Sequence, residues 1–192
     1  MDDFFIFFQM GWDHIMSWEA LDHLLFIAAL TALYSFKQWK QLLILITAFT
    51  LGHTLTLALS MFKVVSLNNK WIEFLIPVTI LITSIFNWIQ KGKLPKKMEL
   101  NYLITLFFGL IHGLGFASTI KQLLIDTQTI VIPLFSFNFG IEAAQVVIVL
   151  LLLYLSKIMV DIIGLSQKYW TISISLVTFI FSIYFCIERW PY

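Results

Sequence analysis

Long apolar runs separated by short polar breaks make up most of the chain. Each run is close to the ~20 residues that a helix needs to cross ~30 Å of hydrocarbon. Residues 1–18 differ, because they mix aromatic and polar side chains and so favour an interfacial segment lying on the bilayer. The pattern predicts an all-α polytopic membrane protein, with six transmembrane helices in one bundle and a single domain over 1–192. The predicted helices cover 20–36, 41–62, 71–89, 100–120, 131–156 and 169–188.

Composition agrees with a lipid environment. The chain is 60% hydrophobic and 12% charged, whereas a soluble domain carries about 25% charge. A net charge of +1, with no basic block beyond one short lysine cluster, argues against a nucleic-acid partner. The single cysteine, Cys186, excludes an intramolecular disulfide and a metal cage built from cysteines. The expected partner is the lipid bilayer, and a homo-oligomer stays open.

Basic residues are distributed unevenly between the two ends of the predicted helices. Eight lysines fall on one side, against three lysines and one arginine on the other. Because the richer side of such proteins faces the cytoplasm, both termini are predicted to be extracytoplasmic. The eight are Lys37, Lys40, Lys91, Lys93, Lys96, Lys97, Lys157 and Lys168, and the four are Lys63, Lys70, Lys121 and Arg189.

Ionisable side chains within the spans gather in the extracytoplasmic half of the predicted bundle. At ~1.5 Å per residue, His112 lies roughly 10–12 Å below the outer end of its helix, and His53 and Glu142 lie some 14–16 Å down. A charge at this depth costs at least ~2.5–3.5 kcal/mol, so these residues are functional candidates. Simpler roles stay open: histidines that only bond neighbouring helices, a cap formed by Asp22 and His23, or a surface position for Glu73.

The chemistry that fits these residues is metal binding. Neutral imidazoles and carboxylates suit Ni²⁺ or Zn²⁺, with Co²⁺ and Cu²⁺ open, where thiols are absent. The candidate ligands are His23, His53, His112, Asp22 and Glu142. His14 is expected at the membrane interface rather than on the ion. The residues that could support or border the site are His14, Asp13, Glu73, Thr54, Asn138 and Gln145.

Four short motifs carry a resemblance to a known family. They are ALDHLLF around Asp22-His23, FTLGHTL around His53, FGLIHGLGF around His112, and FNFGIEAAQ from Phe137 to Gln145. Together they resemble the HupE/UreJ family of hydrogenase and urease accessory membrane proteins, which are regarded as nickel permeases. The resemblance implies metal-related roles for Asp22, His23, His53, His112 and Glu142, and a bacterial inner membrane. Asp13-His14 is a second Asp-His pair that could be the match instead.

We therefore expect a divalent metal permease of the nickel type, with an outward-facing site of histidines and carboxylates. Two alternatives stay open. The first is an intramembrane metal-dependent hydrolase acting on a lipid or a membrane protein, with Glu142 or Glu73 as the base that activates water. The second is a metal-binding accessory protein that transports nothing. The inner half of the predicted bundle offers only Thr, Ser and Asn side chains, and this argues against transport.

Overall fold

The computed structural model describes residues 2–65, 68–123 and 130–192, and every regular element in those ranges is a helix. Five helices are long and apolar enough to cross a membrane. They begin and end within three residues of the predicted bounds. The α-helices are α1 (Asp2–Met16), α2 (Leu21–Thr31), α3 (Trp39–Met61), α4 (Asn69–Gln90), α5 (Met98–Leu123), α6 (Val131–Lys157) and α7 (Gln167–Glu188), and the five long ones are α3 to α7.

The first predicted span, over 20–36, is not a full-length helix. Helix α2 has 11 residues, so it is about 17 Å long, which is roughly half the thickness of the hydrocarbon layer. After Thr31 the chain continues through Ala32 to Tyr34, which are buried but not helical. The free carbonyl of Ala32 accepts a hydrogen bond of 2.8 Å from Thr171 Oγ1. Irregular backbone is tolerated inside a membrane protein where protein groups bond it in this way. The hydrophobic pattern could not show the break, because these residues are as apolar as the helix.

Helix α1 packs along α6 in the opposite direction. Phe8 of α1 lies against Gly140, and Gly11 lies against Phe137 further towards the start of α6. A Cβ atom at either glycine would collide with the backbone carbonyl of the facing helix. The two backbones are therefore as close as helices can be, as at small-residue contacts between membrane helices. This placement differs from the interfacial segment expected for 1–18, and it brings His14 to the bundle.

Helices α3 and α5 form a second close pair and run in the same direction. A Cβ at Gly109 would meet the carbonyl of Phe49, and one at Gly113 would meet the carbonyl of His53. Glycines at these two positions allow the backbones to touch. As a result, His53 on α3 and His112 on α5 lie at nearly the same level of the bundle.

Helices α4 and α7 form an antiparallel pair that α2 joins. Ser84 Oγ and Thr178 Oγ1 are 2.7 Å apart between α4 and α7, and Asn87 Nδ2 donates to the carbonyl of Ala29 on α2 at 2.7 Å. Beyond the end of α7, the ring of Tyr192 lies 5.5 Å from that of Trp71. These contacts hold the end of α7 beside the start of α2, where Asp22 lies.

Candidate metal centre

Three histidines from three different helices converge inside the bundle. His14 of α1, His23 of α2 and His53 of α3 each offer a ring nitrogen, and these nitrogens all lie within 4.8 Å of one another. Two nitrogens bound to one ion at ~2.1 Å can be at most ~4.2 Å apart. Small rotations of the rings would therefore place all three on a single ion.

Four of the six ring nitrogens in this cluster make no hydrogen bond within the described part of the chain. His14 Nε2, His23 Nε2 and both ring nitrogens of His53 are buried without a hydrogen-bond partner, and His53 has no exposed surface. Leaving a buried polar atom unpaired costs ~1–3 kcal/mol, so native proteins rarely do so without a reason. The donor set fits a transition-metal ion, which would bind these lone pairs.

Asp22 fixes the orientation of His23. Its Oδ1 lies 3.1 Å from His23 Nδ1 and accepts from the backbone N–H of His23 at 2.8 Å. Its Oδ2 accepts from Arg189 Nη1 at 3.0 Å. With a carboxylate at Nδ1, that nitrogen carries the proton and Nε2 keeps the lone pair, as in carboxylate–histidine–metal arrangements. Both Asp22 oxygens thus accept hydrogen bonds from protein groups, and the carboxylate contacts the Nδ1 side of His23.

His112 lies beside the three-histidine cluster. Its ring centroid is 5.0 Å from that of His23, and its Nε2 lies 2.9 Å from Thr79 Oγ1. The Thr79 hydroxyl also contacts the carbonyl of Ile76 at 2.7 Å. Because a carbonyl can only accept, the hydroxyl proton goes to Ile76 and His112 Nε2 carries its own proton. His112 Nδ1 therefore keeps a lone pair, and it is buried without a partner among the described residues.

His14 is held in the form that binds metals. Its ring lies 4.1 Å from that of Phe116 and 5.8 Å from that of Phe137. Burial, followed by the neighbouring His23, lowers the pKa of His14 from 6.5 to about 3. The imidazole is therefore neutral at physiological pH, and neutral imidazole is the form that ligates.

Of the other residues suggested by the sequence, Thr54, Glu142 and Gln145 lie along α3 and α6 outside the cluster, whereas Asn138 of α6 lies beside His53. Glu142 accepts a hydrogen bond from Thr47 Oγ1 at 2.7 Å, and Gln145 Oε1 accepts from Thr50 Oγ1 at 2.8 Å. Asn138 donates to its own helix at Leu134 and leaves Oδ1 buried without a partner in the described structure. Thr54 likewise bonds the carbonyl of Thr50. Glu142 thus contacts a hydroxyl rather than the histidines.

A cavity of about 760 Å³ leads to the cluster. Asp13 and Glu73 line it and are exposed, so the cavity reaches the protein surface. Its inner lining includes His14, His23 and His112, together with Arg189. Arg189 follows the last residue of α7 and had no place in the sequence-based site. Nothing in the sequence pairs it with Asp22, from which it is 167 residues distant.

A family model described as HupE / UreJ protein matches residues 1–189. The chain belongs to the HupE/UreJ family. Comparisons with curated proteins and with solved structures gave no match. For a HupE/UreJ protein, a role in handling nickel or another metal, as an accessory or a transporter, agrees with the histidine cluster found here.

Proposed function

We propose that this HupE/UreJ protein is a permease for a divalent transition-metal ion of the nickel type, with an outward-facing metal site. One observation carries the proposal: three histidines with unpaired buried nitrogens meet at the inner end of a cavity that reaches the surface. A site that only held the bundle together would pair these nitrogens with protein groups. An ion that binds reversibly explains why these histidine nitrogens have no protein partner.

The proposed orientation of the bundle rests on the lysines. The eight lysines counted above lie in or next to the loops before α3, between α4 and α5, and between α6 and α7, and the richer side is cytoplasmic. The cavity opens at the opposite ends of the helices, near Glu73 and Arg189. We propose that the bundle lies in a bacterial inner membrane, that α2 with its non-helical extension completes a sixth crossing, and that both termini are extracytoplasmic.

A polar route inward begins below the cluster. Thr50 and Thr47 lie one and two turns from His53 towards the cytoplasmic end of α3, and they bond Gln145 and Glu142 of α6. Gln145 is fully buried, and its Nε2 has no partner in the described ranges. The sequence suggested Glu142 as a ligand and Gln145 as a neighbour of the site, and both instead bond threonines of α3. These two pairs favour transport over storage, because a storage site needs no polar groups beyond its ligands.

The ion is expected to be Ni²⁺ or Zn²⁺, with Co²⁺ and Cu²⁺ as competitors. The three candidate ligands in the cluster are all imidazoles, which suit each of these ions, and affinity alone follows the Irving–Williams order. Asp22 contributes a negative charge close to the ion, although Arg189 offsets part of it.

The test combines binding and uptake. Purified protein should bind one Ni²⁺ or Zn²⁺ per chain, and proteoliposomes should accumulate radiolabelled ⁶³Ni²⁺. His14→Ala and His53→Ala should each weaken metal binding at least ~100-fold and abolish uptake. Loss of a group that only supports a ligand lowers metal affinity by up to ~100-fold, and loss of a ligand itself should lower it at least as much. Thr54→Ala is a matched control, because its hydroxyl bonds only its own helix. Stoichiometric binding without uptake of any divalent ion would contradict the permease and favour the accessory role.

The hydrolase alternative is favoured by one feature, the carboxylate of Glu73 in the same cavity as the cluster. In such an enzyme, the ion would activate water and Glu73 would take its proton. Glu142, the other candidate base, does not line the cavity. Metal-dependent cleavage of a lipid or a membrane peptide that Glu73→Gln abolishes, without loss of metal binding, would support the enzyme over the permease.

A further inference from the structure

The cavity is much larger than a hydrated ion needs. Six waters around a divalent ion occupy about 180 Å³ at ~30 Å³ each. The cavity measures about 760 Å³, within the 300–1,000 Å³ typical of pockets for small organic ligands. An organic molecule of moderate size therefore fits beside the histidines, and water alone does not account for the space.

Part of the cavity wall is apolar. Met10, Ile76 and Phe116 line it together with the acidic and imidazole groups. A hydrated ion gains nothing from this surface, whereas an organic ligand gains from covering it. The combination of an apolar wall with a few convergent polar groups is that of a small-molecule site.

Arg189 adds a positive charge to a site for a cation. One of its N–H groups bonds Asp22, and a quarter of its side chain is exposed in the cavity lining. A guanidinium has five N–H groups, so others are free to bind a carboxylate of a ligand. This charge opposes a bare cation but suits a cation that is carried by an anionic ligand.

From these observations we infer that the cavity takes the metal ion as a complex with a small carboxylate chelator, of the size of a hydroxy acid or an amino acid. The inference rests on the proposed function and names its substrate class. The chelator's carboxylate binds Arg189, its carbon skeleton covers the apolar wall, and the ion faces the histidines. Each bond from the ion to the chelator is then replaced by a bond to an imidazole nitrogen, without any change of oxidation state.

The chelator itself goes no further. His53 lies behind the cavity, has no exposed surface and does not line it. The close contact of α3 with α5 beside His53 leaves no room for an organic group. The released chelator therefore returns to the outside with its own charge.

Equilibrium dialysis of the full-length protein in nanodiscs tests this directly, with ¹⁴C-citrate and ¹⁴C-glycine as the two chelators. At least one should be retained only when Ni²⁺ is present. Ser17→Trp should lower this retention at least tenfold, because the indole occupies the cavity, while the affinity for Ni²⁺ without chelator changes less than threefold. Ser17→Ala is the matched control and should behave as wild type, because the Ser17 side chain makes no capping bond. Failure to retain either chelator in the presence of Ni²⁺ would overturn the inference.

Uptake gives a second, independent measurement. Free Ni²⁺ is held constant while the citrate complex is increased, so that a carrier of the bare ion shows a constant rate. We expect ⁶³Ni uptake to rise at least fivefold with the complex while no ¹⁴C-citrate enters. A rate set by free Ni²⁺ alone would overturn the inference and leave the permease intact, whereas the permease itself fails if bound ion is never taken up.

Discussion

Replacing Asp22 by Asn separates two roles that the carboxylate could have. The wild-type side chain accepts from the backbone and ring of His23 and from Arg189, at 2.8, 3.1 and 3.0 Å, and it is 7% exposed. Asn keeps the shape but removes the charge, and its amide N–H₂ cannot accept from Arg189. If Asp22 orients His23, the variant should lose metal affinity by about 10- to 100-fold, as for partners of ligands elsewhere. This corresponds to roughly 1.4–2.7 kcal/mol.

Isothermal titration of the purified protein with Zn²⁺ and with Ni²⁺ measures this loss. Asp13→Asn is the matched control, since Asp13 lines the same cavity with the same charge but is exposed and bonds Gln9. It should change affinity less than about threefold, through long-range attraction only. An affinity unchanged in Asp22→Asn would refute the positioning role. A loss equal to that of His23→Ala would instead make Asp22 a ligand, as the sequence suggested.

Three further predictions concern pH, packing and the inward route. The pKa of His14 is lowered to about 3 in the folded protein, so between pH ~6.5 and about 3 this histidine binds a proton in the unfolded chain but not in the folded one. Thermal stability should therefore fall from pH 7 to pH 5. His14→Ala should flatten this slope, and an unchanged slope would place the effect elsewhere. Gly113→Leu should prevent folding or strongly lower the melting temperature, because the new side chain would meet the backbone of His53. Gly115→Ala should have a much smaller effect, because its methyl group would meet the flexible end of the Ile76 side chain. Equal melting temperatures of the two variants would contradict the close α3–α5 contact. Glu142→Gln should change the affinity for Ni²⁺ less than threefold but slow uptake. A loss of affinity as large as that of His53→Ala would show that Glu142 is a ligand.

Much of the architecture could be predicted from the sequence. The five long helices follow from apolar runs of sufficient length, since a membrane leaves few alternatives for such a segment. The short α2 could not be predicted, because Ala32 to Tyr34 are as apolar as a helix, and the break depends on tertiary contacts such as the bond from Thr171 to the carbonyl of Ala32. The packing of α1 was also hidden, since Gly11 and Gly140 lie far apart in sequence.

The site shows the same division. The type of chemistry follows from histidines in apolar helices, whose burial must be explained by a partner. Which histidines meet depends on the packing of helices that the sequence does not relate. His14 seemed interfacial, yet it joins His23 and His53, while His112 bonds Thr79 on another helix. Asp22 could be recognised as important, but its role behind His23 depends on Arg189, which lies at the other end of the chain.

The central claim is that His14, His23 and His53 bind one ion together. X-ray absorption spectroscopy of the Zn²⁺- or Ni²⁺-loaded protein measures it most directly, through the number of imidazoles around the metal at ~2.0–2.1 Å. We expect three imidazoles in the wild type, two in His14→Ala, and still three in His112→Ala. A spectrum that is unchanged by His14→Ala, or that loses an imidazole in His112→Ala, would contradict it.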